Sequence, residues 1–156
     1  MNAQTLLSGS HVFLYRLSNG RVGGSIHGAP VLLLTTLGRK SGRKRTTPLL
    51  YVRAGNRIAI VAANGGRERD PSWWMNLRQT PEAEIRIKGD EFRVRTERAS
   101  DEEKMRLWPM LTKMYPTYHD YQRKTKREIP VVLLTPLNDS PRDGRNNYFI
   151  TSQPLI

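Results

Sequence analysis

The chain has no cysteine, which excludes disulfides, thiolate nucleophiles and cysteine-ligated metal centres together. Its three histidines, His11, His27 and His119, are scattered and no HExxH spacing occurs, so no metal site is expected. No serine sits in a GxSxG elbow, and acidic residues near apolar segments are too few to nominate a buried acid/base pair; no catalytic acid or base is assigned. GxGxxG and GxxxxGK[ST] are also missing, which argues against a parallel, nucleotide-binding βαβ fold. No apolar run approaches the roughly 20 residues needed to span a bilayer, and residues 1–4 carry no cationic leader. The expectation is a cytoplasmic protein, with peripheral contact on the inner face of the cell membrane left open for its N-terminal helix.

Acidic residues are scarce as well, 14 against 26 lysines and arginines, giving a formal charge of +12. That excess favours acidic ligands, nucleic acid or anionic membrane surfaces without choosing among them. The densest knot lies in "TTLGRKSGRKRTTPLL" (35–50), where Arg39, Lys40, Arg43, Lys44 and Arg45 place five cations within seven residues. Like charges this close repel, so the turn needs either free solvent or a multiply charged anion. Gly38 and Gly42 let the backbone approach a ligand, and each shielded charge-assisted bond contributes about 1.5–3 kcal/mol. On the residues alone, an anion cradle and an exposed basic turn are equally consistent.

A length of 156 residues fits one domain. "SHVFLYRLSN" (10–19) sets Phe13, Leu14 and Leu17 on one face of a short amphipathic helix, which predicts packing through that face. A glycine-rich link, 20–28, follows. β-rich runs at 31–36, 46–52 and 57–62 are separated by tight turns, so antiparallel neighbours are the economical arrangement. Asp70 is placed to cap a short helix that opens at Pro71. Ala83, Ile85 and Ile87, then Phe92, Val94 and Thr96, alternate with charges about Gly89 and Asp90, predicting a half-buried hairpin. Ser100 and Glu103 form a capping box for a helix in which Pro109 predicts a kink, and Pro116 opens another. "IPVVLLT" (129–135) is apolar on both faces and reads as a central strand. Six mostly antiparallel strands with few helices predict a mainly β, α+β fold: a small barrel or strongly coiled sheet with helices packed outside, since closure protects the strand edges.

Two further constellations can line a site. In "NGGRERDPSWWMNL" (64–77) a flexible Gly65-Gly66 loop leads to a helix start whose free N–H groups favour an anion or a polar ring edge. Trp73 and Trp74 point about 100° apart on a helix, so at most one faces a ligand; Asn76 is either solvated or bonded to a heterocycle. In "YPTYHDYQ" (115–122), Tyr115, Tyr118 and Tyr121 share a broad helical face, for packing or as an aromatic pocket wall. An enzyme so poor in catalytic groups relies on a bound cofactor for its electronic chemistry.

Together, "TTLGRKSGRKRTTPLLYV", "IVAANGGRERDPSWWMNLRQTPEAEI", "MYPTYHDYQRKT" and "IPVVLLTP" resemble the deazaflavin-dependent nitroreductase family, the coenzyme F-420-dependent reductases of actinobacteria, over residues 11–136. The resemblance implies a split β-barrel related to FMN-binding oxidoreductases. It also implies an 8-hydroxy-5-deazaflavin cofactor with a phosphate and an oligoglutamate tail, passing hydride to a quinone or nitroaromatic acceptor. It assigns tail and phosphate contacts to Arg39, Lys40, Ser41 and Arg45. Thr46, Thr47, Pro48, Leu49, Leu50 and Tyr51, with Val61, Ala62, Ala63 and Asn64, would border the ring. Ser72, Trp73, Trp74, Met75 and Asn76 would complete the cofactor wall, and Tyr115, Tyr118 and Tyr121 would face the acceptor. Ala63-Asn64 stands where a close family member has Ser-Lys, and Leu50 where an aromatic residue can occur. The expected division is helix and link 1–29, cofactor-binding barrel 30–136 and a loose tail 137–156, the last read from its turn-rich, aperiodic composition and not from the resemblance. The rival readings are an FMN- or haem-binding barrel and, less favoured, a basic nucleic-acid-binding module. Against the last, the aromatics cluster in helices rather than on a strand-borne stacking platform.

Overall fold

The computed structural model describes residues 3–21, 23–26 and 28–137, with side chains from residue 9 onward; all but the first residue of the expected tail lies outside them. The chain runs α1 (Ala3–Leu17), β1 (Ser25–Ile26), β2 (Ala29–Leu37), β3 (Lys44–Leu50), β4 (Val52–Ala54) and β5 (Arg57–Val61), then a 3-10 turn at Asn64–Gly66. It continues with α2 (Ser72–Gln79), β6 (Glu82–Ile87), β7 (Asp90–Arg98), α3 (Asp101–Met114), α4 (Thr117–Lys124) and β8 (Val131–Pro136). The strand order is β1-β2-β6-β7-β8-β5-β4, with β3 on β2, and every pairing is antiparallel. All six expected strands form, and β1 and β4 are two short additions. β4 arises because the run expected at 46–52 breaks at buried Tyr51, the corner where the chain passes from pairing with β2 to pairing with β5.

β5 and β8 are apolar on both faces because each separates two cores. Ile58, Ile60, Val132 and Leu134 point into the barrel with Leu32, Leu34, Ile85 and Trp73. Ala59, Val61, Val131 and Leu133 point outward into a second cluster with Leu107 and Leu111 of α3 and Tyr118 of α4. α3 starts at the expected capping box, Ser100 Oγ accepting from the Glu103 N–H at 3.1 Å and Glu103 Oε1 from the Ser100 N–H at 3.1 Å. The helix runs through Pro109 as one element. The carbonyl that Pro109 leaves without a helical donor belongs to Met105, which is 77% exposed, so water can serve it.

α1 packs through a different face from the expected one. Tyr15 is fully buried against Val31 and Leu33, whereas Phe13 (65% exposed), Leu14 and Leu17 (72%) face outward. A hydrogen-bonded anchor decides the orientation: the Tyr15 hydroxyl accepts from the Lys88 N–H at 2.6 Å and donates to the Arg86 carbonyl at 3.3 Å. These bonds hold α1 to the β6–β7 turn, where Lys88 adopts φ +56°. Gly20, at φ +79°, makes the approach possible, since a Cβ there would lie 2.8 Å from Lys88 Cα.

Asp70 does not cap α2. It accepts instead from Arg127 at 2.9 Å and Arg78 at 3.1 Å, because charge-assisted bonds to two guanidinium groups outcompete neutral amides. Arg127, mostly buried, uses its guanidinium in five bonds, to the carbonyls of Ala62, Ala63 and Arg67 and to Asp70. It thereby ties the segment after β5 to the start of α2.

One turn into α2, Asn76 is 4% exposed. Its Oδ1 accepts from the Arg39 N–H at 3.1 Å and the Arg39 guanidinium at 3.0 Å, while its Nδ2 donates to Thr36 Oγ1 at 3.1 Å. Two convergent donors require the oxygen at that position. Asn76→Leu leaves these groups unpaired, and we expect a loss of about 2–4 kcal/mol in urea unfolding. Asn76→Asp, which keeps the acceptor for Arg39, should cost less.

Candidate functional site

A cavity of about 750 Å³ opens where the basic turn meets α2. Lys44, Arg45, Thr46 and Thr47 of β3 all line it, although successive strand residues point to opposite faces. Four consecutive residues can share one cavity only if it lies along the edge of the strand. β3 pairs with β2 along its other edge. Helices therefore bound the cavity on both faces of β3: Ser72, Trp73 and Asn76 of α2 on the inner side and Gly9 of α1 on the outer. The turn supplies Gly38, Arg39, Lys40 and Ser41, and β2 supplies Thr36.

Four cations, Arg39, Lys40, Lys44 and Arg45, line the cavity and no carboxylate does. Lys44 reaches Glu84 at 2.9 Å, outside it. Lys40, Arg43 and Arg45 have no acidic partner among the described residues, and Arg39 is bonded to an amide. With Asp70 engaged elsewhere, α2 has no side-chain cap at its first turn, so its free N–H groups add to the positive field beside Ser72 and Trp73. A phosphate or polycarboxylate fits this donor set; a cation does not.

Of the residues assigned by resemblance, Arg39, Lys40, Ser41, Arg45, Thr46, Thr47, Ser72, Trp73 and Asn76 line the cavity. Trp74 is equally buried but borders a separate cavity with Asp70 and Arg127, with the Arg78 guanidinium 6.0 Å from its ring centre. Met75 is half-buried on α2 outside the cavity lining. Pro48, Leu49 and Leu50 continue β3, and Tyr51 is buried at the corner that follows. Val61, Ala62 and Ala63 are buried at the end of β5, and Asn64 opens the 3-10 turn, donating from Nδ2 to the Arg69 carbonyl at 2.8 Å. The Gly65-Gly66 loop takes the form of a 3-10 turn.

Tyr115, Tyr118 and Tyr121 form an aromatic cluster away from the cavity, with ring centres 5.0 Å apart for Tyr115–Tyr118 and 6.3 Å apart for the other two pairs. They pack with Leu50, Val61 and Ala63, so the expected acceptor side and part of the expected ring border share one cluster. Close approach of α4 requires Gly66, where a Cβ would lie 2.7 Å from the Tyr121 carbonyl oxygen. Burial raises the Tyr118 pKa well above the usual phenol range, with the neighbouring tyrosines adding to the effect. A hydrogen bond with Tyr115, then burial, pushes Tyr121 up to about 12. Both stay protonated at neutral pH.

Sequence reasoning placed Gly38 and Lys44 in the candidate anion cradle but missed Thr36, Gly9 and Arg127. Thr36 had the signal of a polar side chain continuing a buried strand. Gly9 and Arg127 gave no local signal, since only tertiary folding brings them to their partners.

Residues 8–136 match the family model for F420H(2)-dependent quinone reductase. An F420H(2)-dependent quinone reductase of Mycobacterium tuberculosis is 42% identical over 129 residues, 80% of this chain and 87% of that protein. The solved structure of an F420-H2 dependent reductase aligns with a TM-score of 0.62 at 35% identity, covering 67% of this chain and 93% of that one. A solved domain-swapped dimer aligns with a TM-score of 0.64 at 28% identity, covering 85% and 99%. The barrel, its cation-lined strand edge and these likenesses converge: the chain belongs to the F420H(2)-dependent quinone reductase family and is an oxidoreductase of the split-barrel type.

Proposed function

We propose that the cavity holds the phosphate and oligoglutamate tail of coenzyme F-420 and that the chain reduces a quinone seated against the tyrosine cluster. The observation that carries this reading is the set of four cavity cations with no carboxylate among them, next to the Trp73 wall. When bound, the reduced coenzyme supplies a hydride from C5 to an electron-poor planar acceptor, a requirement that nitroaromatic compounds also meet. Arg39, Lys40 and Arg45 bind the anionic tail, Ser41 and the first turn of α2 donate to its oxygens, and Trp73 limits the ring. Asn76 orients Arg39 rather than the heterocycle. Leu50, Val61 and Ala63 exclude water beside the acceptor, while the protonated tyrosines position it and accept no proton at neutral pH. The exposed Phe13, Leu14 and Leu17 of α1, with exposed Arg21 following the helix, favour peripheral docking on an anionic bilayer that dissolves the quinone. No helix among the described residues is long and apolar enough to cross a membrane.

Lys40→Ala and Arg45→Ala should each weaken coenzyme binding about three- to tenfold and flatten its dependence on salt, as read by quenching of tryptophan fluorescence. Unchanged affinity in both refutes the tail site. Tyr118→Phe should lower turnover while leaving coenzyme affinity within about twofold, and the opposite pattern means that the two sides of the site are exchanged. Phe13→Ser with Leu17→Ser should abolish co-sedimentation with anionic vesicles; undiminished binding of the double variant rules out docking through α1.

A further inference from the structure

Arg16 lies on α1, outside the basic turn, and has no acidic partner among the described residues; its Nη2 donates to Thr46 Oγ1 at 3.2 Å. Thr46 is also bonded to Thr35 Oγ1 at 2.8 Å, its cross-strand partner on β2. The next pairing, Thr35 with Glu84, extends the same face onto β6. A second cavity, of about 300 Å³, covers this ladder and includes Arg16, Lys44, Thr46, Glu84 and Arg86. Lys44 and Thr46 line both cavities, so the cleft at the β3 edge continues over the outer face of the sheet beneath α1.

We propose that this outer groove is a second subsite for the coenzyme tail, in which Arg16 and Lys44 receive carboxylates distal to those held by the basic turn. The inference rests on the coenzyme reading given above and extends it to a helix that no motif assigns to binding. The groove differs from the primary cleft in one respect that sets its behaviour. Glu84 occupies Lys44 at 2.9 Å, and Glu91 lies 3.5 Å from Arg86, so an incoming carboxylate competes with built-in acids. A short tail satisfied at the turn does not engage it. A long tail, arriving at high local concentration once its proximal part is bound, displaces Glu84 from Lys44 and pairs with Arg16. α1 then becomes a wall whose seating depends on tail length.

The test compares two forms of the coenzyme, one with a long oligoglutamate tail and one trimmed to a single glutamate, by tryptophan quenching at low salt. Wild-type protein should prefer the long form, and Arg16→Gln should lose about fivefold on it and less than about twofold on the trimmed form. Arg16→Lys should recover most of the loss. Glu84→Gln should shift the other way, tightening the long form by about two- to fivefold, a gain that misfolding does not produce. Tight wild-type binding with equal losses of both forms in Arg16→Gln, or no gain in Glu84→Gln, overturns the subsite and leaves the coenzyme reading intact. Wild-type protein that binds neither form overturns both.

Discussion

A single buried amide holds the charged turn in place. Asn76 accepts two bonds from Arg39 and donates one to Thr36, so the hairpin turn, which together with the start of β3 carries five cations, lies against α2. Without that pin the turn would have every electrostatic reason to leave. Like charges 4 Å apart repel by on the order of 1 kcal/mol in water and several times that near a protein surface. The amide offsets the repulsion locally, and the polyanion of the proposed function would remove it. The charge excess of the chain is thus tolerable as folded structure and useful as a site.

β3 is the element on which the two halves of the site depend. Its pairing with β2 leaves an edge whose successive residues alternate between α2 and α1, so a ligand lying along it meets donors from both sides. Beyond Leu50 the chain turns at Tyr51 into the region where Leu50, Val61 and Ala63 pack with the tyrosines. Polar recognition and apolar contact are separated along one stretch of chain. Arg127 keeps the second half in register, its five bonds holding the carbonyls after β5 while neutralising Asp70.

The tyrosine cluster shows how burial sets a chemical role. Three phenols lie with ring centres within 6.3 Å of one another, and two of them, Tyr118 and Tyr121, have raised pKa values that keep them protonated at physiological pH. In the proposed function this cluster is what holds the planar, uncharged acceptor.

Local pattern was enough for much of the fold. The hairpin of β6 and β7, the capping box at Ser100, the doubly apolar β8 and the cationic turn at 38–43 follow from spacings of two to four residues, over which side-chain direction is set by the backbone itself. The order of the strands, the choice of Tyr15 over Phe13 as the buried face of α1, and the diversion of Asp70 from cap to ion pair could not be read this way. The last two were decided by partners dozens of residues distant, Lys88 for Tyr15 and Arg127 for Asp70, as the seat of the basic turn was by Asn76 for Arg39. Sequence by itself determined which residues carry charge, aromatic surface and turn propensity. Tertiary structure alone decided which of them meet, because a hydrogen bond between distant groups forms only where the whole chain has already brought donor and acceptor within 3 Å or so.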